Sequence, residues 1–423
     1  MKTFTGWQYL LIDVANNYCL DLDKTEFEPR IAWAEKHLDK LEAMAENEEW
    51  KEKPLYLKAV QSVRRAQRGE PMGHLVGMDA ANSGMQIMSV MTGCITGADA
   101  TGLVDPEVRA DAYTRCTAVM SRILGSAVTV VRKVVKSAAM KGLYGSKKEP
   151  KKAFGEDTPE LHAFYDAMYE VAPGACQLLQ ILLDSWQPYA RQHAYQLPDG
   201  FEVKTKVRQR VEADIEVDEL DHSTFKYVYY ENEGEESGVK NAANIIHSID
   251  AYILRSLIRR CDYDYEHFDS VSTLIEVELL DRSLTGRTVA KPREFNAAYP
   301  NELYYYKAQF ARSGHADIVI VPYLDDYGLM ELDTDHLIEL NRIINTMLVH
   351  SPFEVVTIHD DFKCHPNNVN HMRFHYREIL AELADSNLME DILTQLHGVQ
   401  GCTFKKLSSN LSTYIRQSNY AIC

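Results

Sequence analysis

The chain has 423 residues, 45% hydrophobic and 10% aromatic, enough to bury a large core arranged as two or three lobes. Its net charge of −17 opposes any role that needs a generally basic surface, and no run of about 18 apolar residues marks a membrane span. Eight scattered cysteines without a C-x-x-C pair suit free thiols in a reducing compartment, and Asp13 beside the first apolar stretch argues against a secretory signal.

Along the chain, Phe27, Ile31, Trp33, Ala34, Leu38 and Leu41 recur at helical spacing and predict a helix from Thr25 to about Glu46, with Asp23 or Thr25 as N-cap. A second helix is expected over Pro54–Arg68. HLVGMDA (74–80) reads as a short strand with Asp79 near its C-terminal end, and SGMQIMSVMTG (83–93) as a buried helix. Two long helices are expected between Pro106 and Leu143, and another from Pro159 to Tyr189. Pro198-Asp199-Gly200 signals a turn, beyond which FEVKTKVRQRVEADIEV alternates as strands do. ENEGEESG (231–238) reads as an acidic, flexible tip, and Asn241–Arg260 as a helix. Asp262–Asp335 is Tyr-rich, with strand-like runs STLIEVELLD and HADIVIVPYL, and reads as an inserted subdomain. After a helix over 335–349, FEVVTIHDDFKCHP predicts strand, tight turn and strand, the turn carrying His359-Asp360-Asp361. Helices follow over Asn367–Asp385 and Leu388–His397.

Two features carry chemistry. Asp79 and Asp360 stand at strand ends, where short carboxylates are held rigidly. Hard cations such as magnesium favour carboxylate and carbonyl oxygens, and two ions together stabilise the attacking and leaving oxygens of a phosphoryl transfer. Each Asp alone reads more simply as a turn or cap residue. RKVVKSAAMKGLYGS (132–146) sets Arg132, Lys136, Met140 and Tyr144 along one helix face before a Gly-Ser turn. A triphosphate along that face meets two cations at one end and offers its base to the phenol at the other. Residues 132–152 hold eight basic residues against Glu149 alone, so a polyanion can be gripped locally, although the run by itself reads as a solvated helix end.

Together these residues carry a resemblance. R-x-x-x-K-x-x-x-M-x-x-x-Y-G-S resembles motif B, the fingers motif of phage-type single-subunit DNA-directed RNA polymerases. DAANSGMQ (79–86) resembles their motif A, TIHDDF (357–362) their motif C, and NIIHSID (244–250) their H-S-x-D helix. DAY (111–113), PDGFEV (198–203) and the terminal SNYAIC are weaker matches. The resemblance implies an α+β right-hand polymerase of palm and fingers, mostly helical with a small antiparallel palm sheet. On that reading residues 1–104 hold N-terminal helices and the first part of the palm with motif A. Residues 105–240 hold the fingers with motif B and an acidic hairpin region, and 241–261 a palm helix. Residues 262–335 form the inserted subdomain, and 336–423 the palm with motif C and the C-terminal segment. The implied activity is two-metal transfer of ribonucleoside triphosphates to an RNA 3′ end on a DNA template, in the cytoplasm of an infected bacterium. Asp79, Asp360 and the backbone carbonyl of Ala80 would hold two magnesium ions, and Arg132 and Lys136 the incoming triphosphate. Tyr144 would close over the nascent pair and, with His247, monitor the sugar; Tyr113 packs beside them and His359 supports the primer end.

Departures from the family pattern refine these expectations. DNA polymerases of the related palm family share an R-x-x-x-K-x-x-x-Y helix but carry a Glu five residues after the motif A Asp, blocking the ribose 2′-hydroxyl. Gly84 stands there in this chain, Met140 replaces the usual Phe and Asp361 the usual Glu, all favouring ribonucleotides. A family A-like DNA polymerase and a non-catalytic nucleic-acid-binding scaffold with a polymerase fold are the alternatives. The family's N-terminal promoter-binding domain, its thumb and an Arg-bearing segment have no counterpart here. A second polypeptide is therefore expected, as in the heterodimeric middle-gene RNA polymerases of N-four-like phages, whose larger subunit this chain resembles. Glu231, Glu233, Glu235 and Glu236 fall where the family reads its promoter and would repel DNA phosphates. A promoter or single-stranded-DNA recruitment factor is expected to take over that task.

Overall fold

The computed structural model describes residues 1–46, 49–126, 128–232, 237–287, 301–398 and 401–423. A capping box opens α1 (Gly6–Asn16): the Gln8 amide donates to the Thr5 hydroxyl at 3.2 Å, and the Thr5 amide to Gln8 Oε1 at 2.9 Å. Residues Tyr9 to Ala15 are all buried, so α1 is a central helix without a wet face. Against it pack α2 (Phe27–Lys36) and α3 (Lys53–Gln67). The helix expected over 25–46 thus ends at Lys36 and continues as 3-10 turns. Its N-cap is Glu26, which makes no side-chain cap bond, while the Thr25 hydroxyl turns back to the Leu22 carbonyl at 2.8 Å.

β1 (Val76–Asp79) enters α4 (Ser83–Thr92) through Asn82, held at φ 71° while its side chain accepts from the Met85 amide. Every residue of α4 is buried. There follow α5 (Ile95–Ala100), α6 (Ala112–Leu124), α7 (Arg132–Gly142), α8 (Lys148–Phe154), α9 (Pro159–Val171) and α10 (Pro173–Asp184). The single helix expected from Pro159 to Tyr189 is therefore two. Pro173 has no amide to donate and takes a first-turn position of α10, where none is needed.

β2 (Gln192–Gln196) pairs with β3 (Glu202–Lys206) around the expected Pro198-Asp199-Gly200 turn, with Gly200 at φ 81°. β4 (Gln209–Val217) and β5 (Ser223–Glu231) form a second hairpin, closed by a turn over 218–222. Of the acidic tip expected at 231–238, residues 233–236 lie outside the described residues; the hairpin's own turn carries Asp218, Glu219 and Asp221.

α11 (Val239–Cys261) crosses the main core, and α12 (Tyr265–Thr285), α13 (Asn301–Ser313) and α14 (Thr334–Met347) build a second one around Ile275, Leu303, Ile320, Leu337 and Ile344. Here the strand reading fails. STLIEVELLD lies within α12, and IVIVPY is a 3-10 segment, Ile318–Tyr323. The buried positions Phe268, Val271, Ser272, Ile275, Glu278 and Arg282 follow a helical period, while Val277, Leu280 and Leu284 lie exposed. Ion pairs tie the two cores together: Arg259 of α11 bonds both Asp199 and Asp317, at 3.3 and 2.9 Å.

β6 (Val356–Ile358) and β7 (Asp361–Cys364) complete a three-stranded antiparallel sheet of order β1-β7-β6. α15 (Val369–Asp385) is largely buried against α4, α11 and α17 (Leu411–Gln417), and α16 (Leu388–His397) lies along β2. On α15, Glu382 receives both Arg260 of α11, at 3.0 Å, and Arg342 of α14, at 2.7 Å. The architecture is mostly helical with small antiparallel sheets, and among the described residues no helix is long and apolar enough to cross a membrane.

Candidate active site

Strand pairing joins two segments that are remote in the chain. β1 runs against β7 in a register that sets Asp79 opposite Asp361, and the Ala80 amide donates to the Asp360 carbonyl at 3.2 Å. Asp360 sits in the β6–β7 turn next to His359, whose φ of 57° is a left-handed geometry in which His is enriched. Asp79 and Asp360 both border a cleft of about 500 Å³. Asp79 opens to this cleft yet is closely surrounded by protein. That partial desolvation, then the negative charges of Asp360 and Asp361, pushes its carboxyl up to about 7. Burial and then Asp360 likewise raise Asp250 to about 6. Crowded carboxylates with a carbonyl beside them are the hard-oxygen donor set that suits magnesium. The Ala80 carbonyl accepts from the Asn82 amide at 2.8 Å, which leaves its second lone pair for a cation. Asp361 instead pairs with Lys363 at 3.0 Å and borders a neighbouring cleft beside His74 and Lys58.

The opposite wall is α7. Arg132 is held by Asp111, which accepts from both Nε (3.1 Å) and Nη2, and its Nε also reaches the Thr114 hydroxyl at 3.0 Å. Asp111 is at the same time the N-cap of α6, accepting from the Tyr113 and Thr114 amides at 2.9 and 3.1 Å. Burial raises its pKa, but the Thr114 amide and the Arg132 guanidinium outweigh this and hold the carboxyl below its ordinary range. The Arg132 guanidinium and the Lys136 ammonium both lie over the Tyr113 ring, 5.8 and 5.5 Å from its centroid. Lys133, Lys147, Lys148 and Lys152 are exposed along α7 and α8.

At the end of α7, Gly145 turns the chain at φ 86° and Tyr144 stacks on His247 of α11, centroids 4.7 Å apart and rings 20° from parallel. A Cβ at Gly84 would lie 2.4 Å from the Tyr144 hydroxyl oxygen. The room left by the missing side chain is thus filled by the phenol and does not stand open above α4. Burial, then Asp250 and Asp360, push the Tyr144 hydroxyl up to about 12, and burial followed by the His359 charge lowers His247.

Asp79, Ala80, Asp360, Tyr113, Arg132 and Lys136 therefore share one cleft, while Gly84, Tyr144 and His247 form an adjoining cluster. His359 is exposed at the turn. Two residues went unassigned in the sequence reading. Asp111 pins Arg132, and its signal was a helix-capping Asp directly before Ala-Tyr. Asp250 lies three residues after His247, hence on the same helix face. Gln86 is structural: it donates to the Thr101 and Ala421 carbonyls at 3.2 and 3.0 Å and accepts from the Tyr376 hydroxyl at 2.9 Å. Among the described residues, Glu216, Asp218 and His222 also bring ligand atoms together, but they are exposed at a hairpin tip, where acidic groups commonly gather without an ion.

Residues 3–153 match the DNA-dependent RNA polymerase family. The matched stretch is less than half of the chain; it contains Asp79, Ala80, Gly84, Tyr113, Arg132, Lys136 and Tyr144, and ends before His247, His359 and Asp360. No curated protein matches the chain. In general terms, the family match supports a nucleotidyltransferase that uses a DNA template and nucleoside triphosphates.

Proposed function

We propose that this chain is the catalytic subunit of a DNA-directed RNA polymerase with a right-hand palm and fingers. The observation that carries the reading is the β1–β7 pairing, which sets Asp79 beside Asp360 in a cleft shared with Arg132 and Lys136. Asp79, Asp360 and the Ala80 carbonyl would hold two magnesium ions, which supply charge stabilisation at the attacking and leaving oxygens. In the reaction the RNA 3′-hydroxyl attacks the α-phosphate and pyrophosphate leaves. Lys136 and the Nη1 end of Arg132 neutralise the triphosphate, since Asp111 and Thr114 hold the other guanidinium nitrogens. Tyr144, braced by His247 and Gly84, meets the sugar and base of the incoming nucleotide, and the lysines of α7 and α8 meet nucleic-acid phosphates. His359 supports the primer end.

A net charge of −17 favours a basic second polypeptide that completes the grip on DNA, and the setting is the cytoplasm of a phage-infected bacterium. The reading is tested by extension of an RNA primer on a DNA template by the full chain, alone and with its co-purifying proteins. Magnesium-dependent extension with ribonucleotides supports it. Preference for deoxynucleotides would replace it with a family A-like DNA polymerase, and no incorporation in any combination would leave a scaffold.

A further inference from the structure

The β4–β5 hairpin pairs nine residues on each strand in unbroken register, from Gln209↔Glu231 to Val217↔Ser223. That register gathers Val211, Ala213, Ile215 and Val217 with Phe225, Tyr227 and Tyr229 on one face. Ile215, Phe225 and Tyr227 are 47%, 51% and 54% exposed, and the Tyr227 and Tyr229 rings stack on each other at 5.6 Å. Among the described residues the sheet has two strands, and neither outer edge is paired with a third. A lone two-stranded hairpin is marginal in water, and apolar surface of this kind calls for a cover.

Charge selects among covers. Residues 209–231 carry seven carboxylates (Glu212, Asp214, Glu216, Asp218, Glu219, Asp221, Glu231) against Arg210 and Lys226. Aromatic platforms for single-stranded nucleic acid depend on a cationic groove along the phosphates, and this hairpin presents the opposite field. A second copy of the chain would bring a net charge of −17 and the same acidic hairpin. We propose that the β4–β5 hairpin docks a protein partner whose apolar surface is bordered by lysine and arginine, covering the Phe225–Tyr227–Tyr229 face. The proposal needs only the hairpin and does not depend on the polymerase reading.

The test titrates the full-length protein with three fluorescent probes: an apolar strand peptide flanked by lysines, the same peptide flanked by glutamates, and a single-stranded oligothymidine. The lysine-flanked peptide should bind in preference to its acidic counterpart. Phe225→Ser/Tyr227→Ser should weaken that binding at least tenfold. Glu212→Lys/Glu216→Lys, which leaves the apolar face intact, should weaken it several-fold, with far-ultraviolet circular dichroism confirming the fold of both variants. Equal binding of the two peptides would overturn the proposal. So would oligothymidine binding that the serine variant abolishes, or a dimer in sedimentation that the same variant dissolves.

Discussion

Replacing Gly84 by alanine places a methyl group 2.4 Å from the Tyr144 hydroxyl oxygen and 3.0 Å from its ζ-carbon, so the ring or the helix must move. The ring does not swing away freely, because it is stacked on His247 at 4.7 Å. Overpacking of this kind costs about 1–3 kcal/mol. Alanine recovers about 1 kcal/mol over glycine within a helix, so the net loss should be roughly 0–2 kcal/mol. A sharper quantity is the coupling to Tyr144. In a Tyr144→Phe background the hydroxyl contact is gone while the ring contact persists, and the alanine should cost less by on the order of 1 kcal/mol. Urea denaturation of the four proteins gives that cycle, and nucleotide KM should rise in Gly84→Ala as the displaced ring loosens the site. Additivity within about 0.5 kcal/mol would refute the claim that Tyr144 fills the space above Gly84.

Asp111→Ala removes both the α6 N-cap and the partner of Arg132; stability should fall by about 1–2 kcal/mol in denaturant titration, and nucleotide KM should rise several-fold. Arg260→Ala leaves Glu382 buried with a diminished partner set and should cost about 3–5 kcal/mol by the same measurement. Asp79 is held up at about 7 against its ordinary 3.8, so between those values the folded chain binds a proton that the unfolded chain lacks. The contribution of this group to metal-free stability therefore falls as pH rises from about 4 to about 7, and Asp79→Asn should flatten that slope. Magnesium, which favours the ionised carboxylate, should stabilise the protein more at about pH 8 than at about pH 5, read by thermal unfolding.

The elements around the site were legible because each carries its own local signal. β1 and the β6–β7 turn show short apolar runs ending in Asp, α7 shows the i, i+4 stripe, and the 198–200 turn shows Pro-Asp-Gly. The pairing of Asp79 with Asp361 was not legible, since strand register depends on partners nearly three hundred residues apart. Arg132 read as a free cation because its partner Asp111 lies 21 residues earlier. The misread strands of 262–335 failed for another reason. Leu280 and Leu284 on the exposed side of α12 blur its helical period, and β-branched residues imitate a strand. The break at Pro173 had a visible cause, a proline inside an otherwise continuous helical pattern.

The most direct test of the central claim compares ribonucleotide incorporation on a DNA template, with magnesium, by the native chain, Asp79→Asn and Asp360→Asn, each supplied with the native chain's co-purifying proteins. The account predicts RNA synthesis by the native chain and none above background by either variant, with all three showing the same circular dichroism spectrum. Synthesis at the native rate by either folded variant would contradict it.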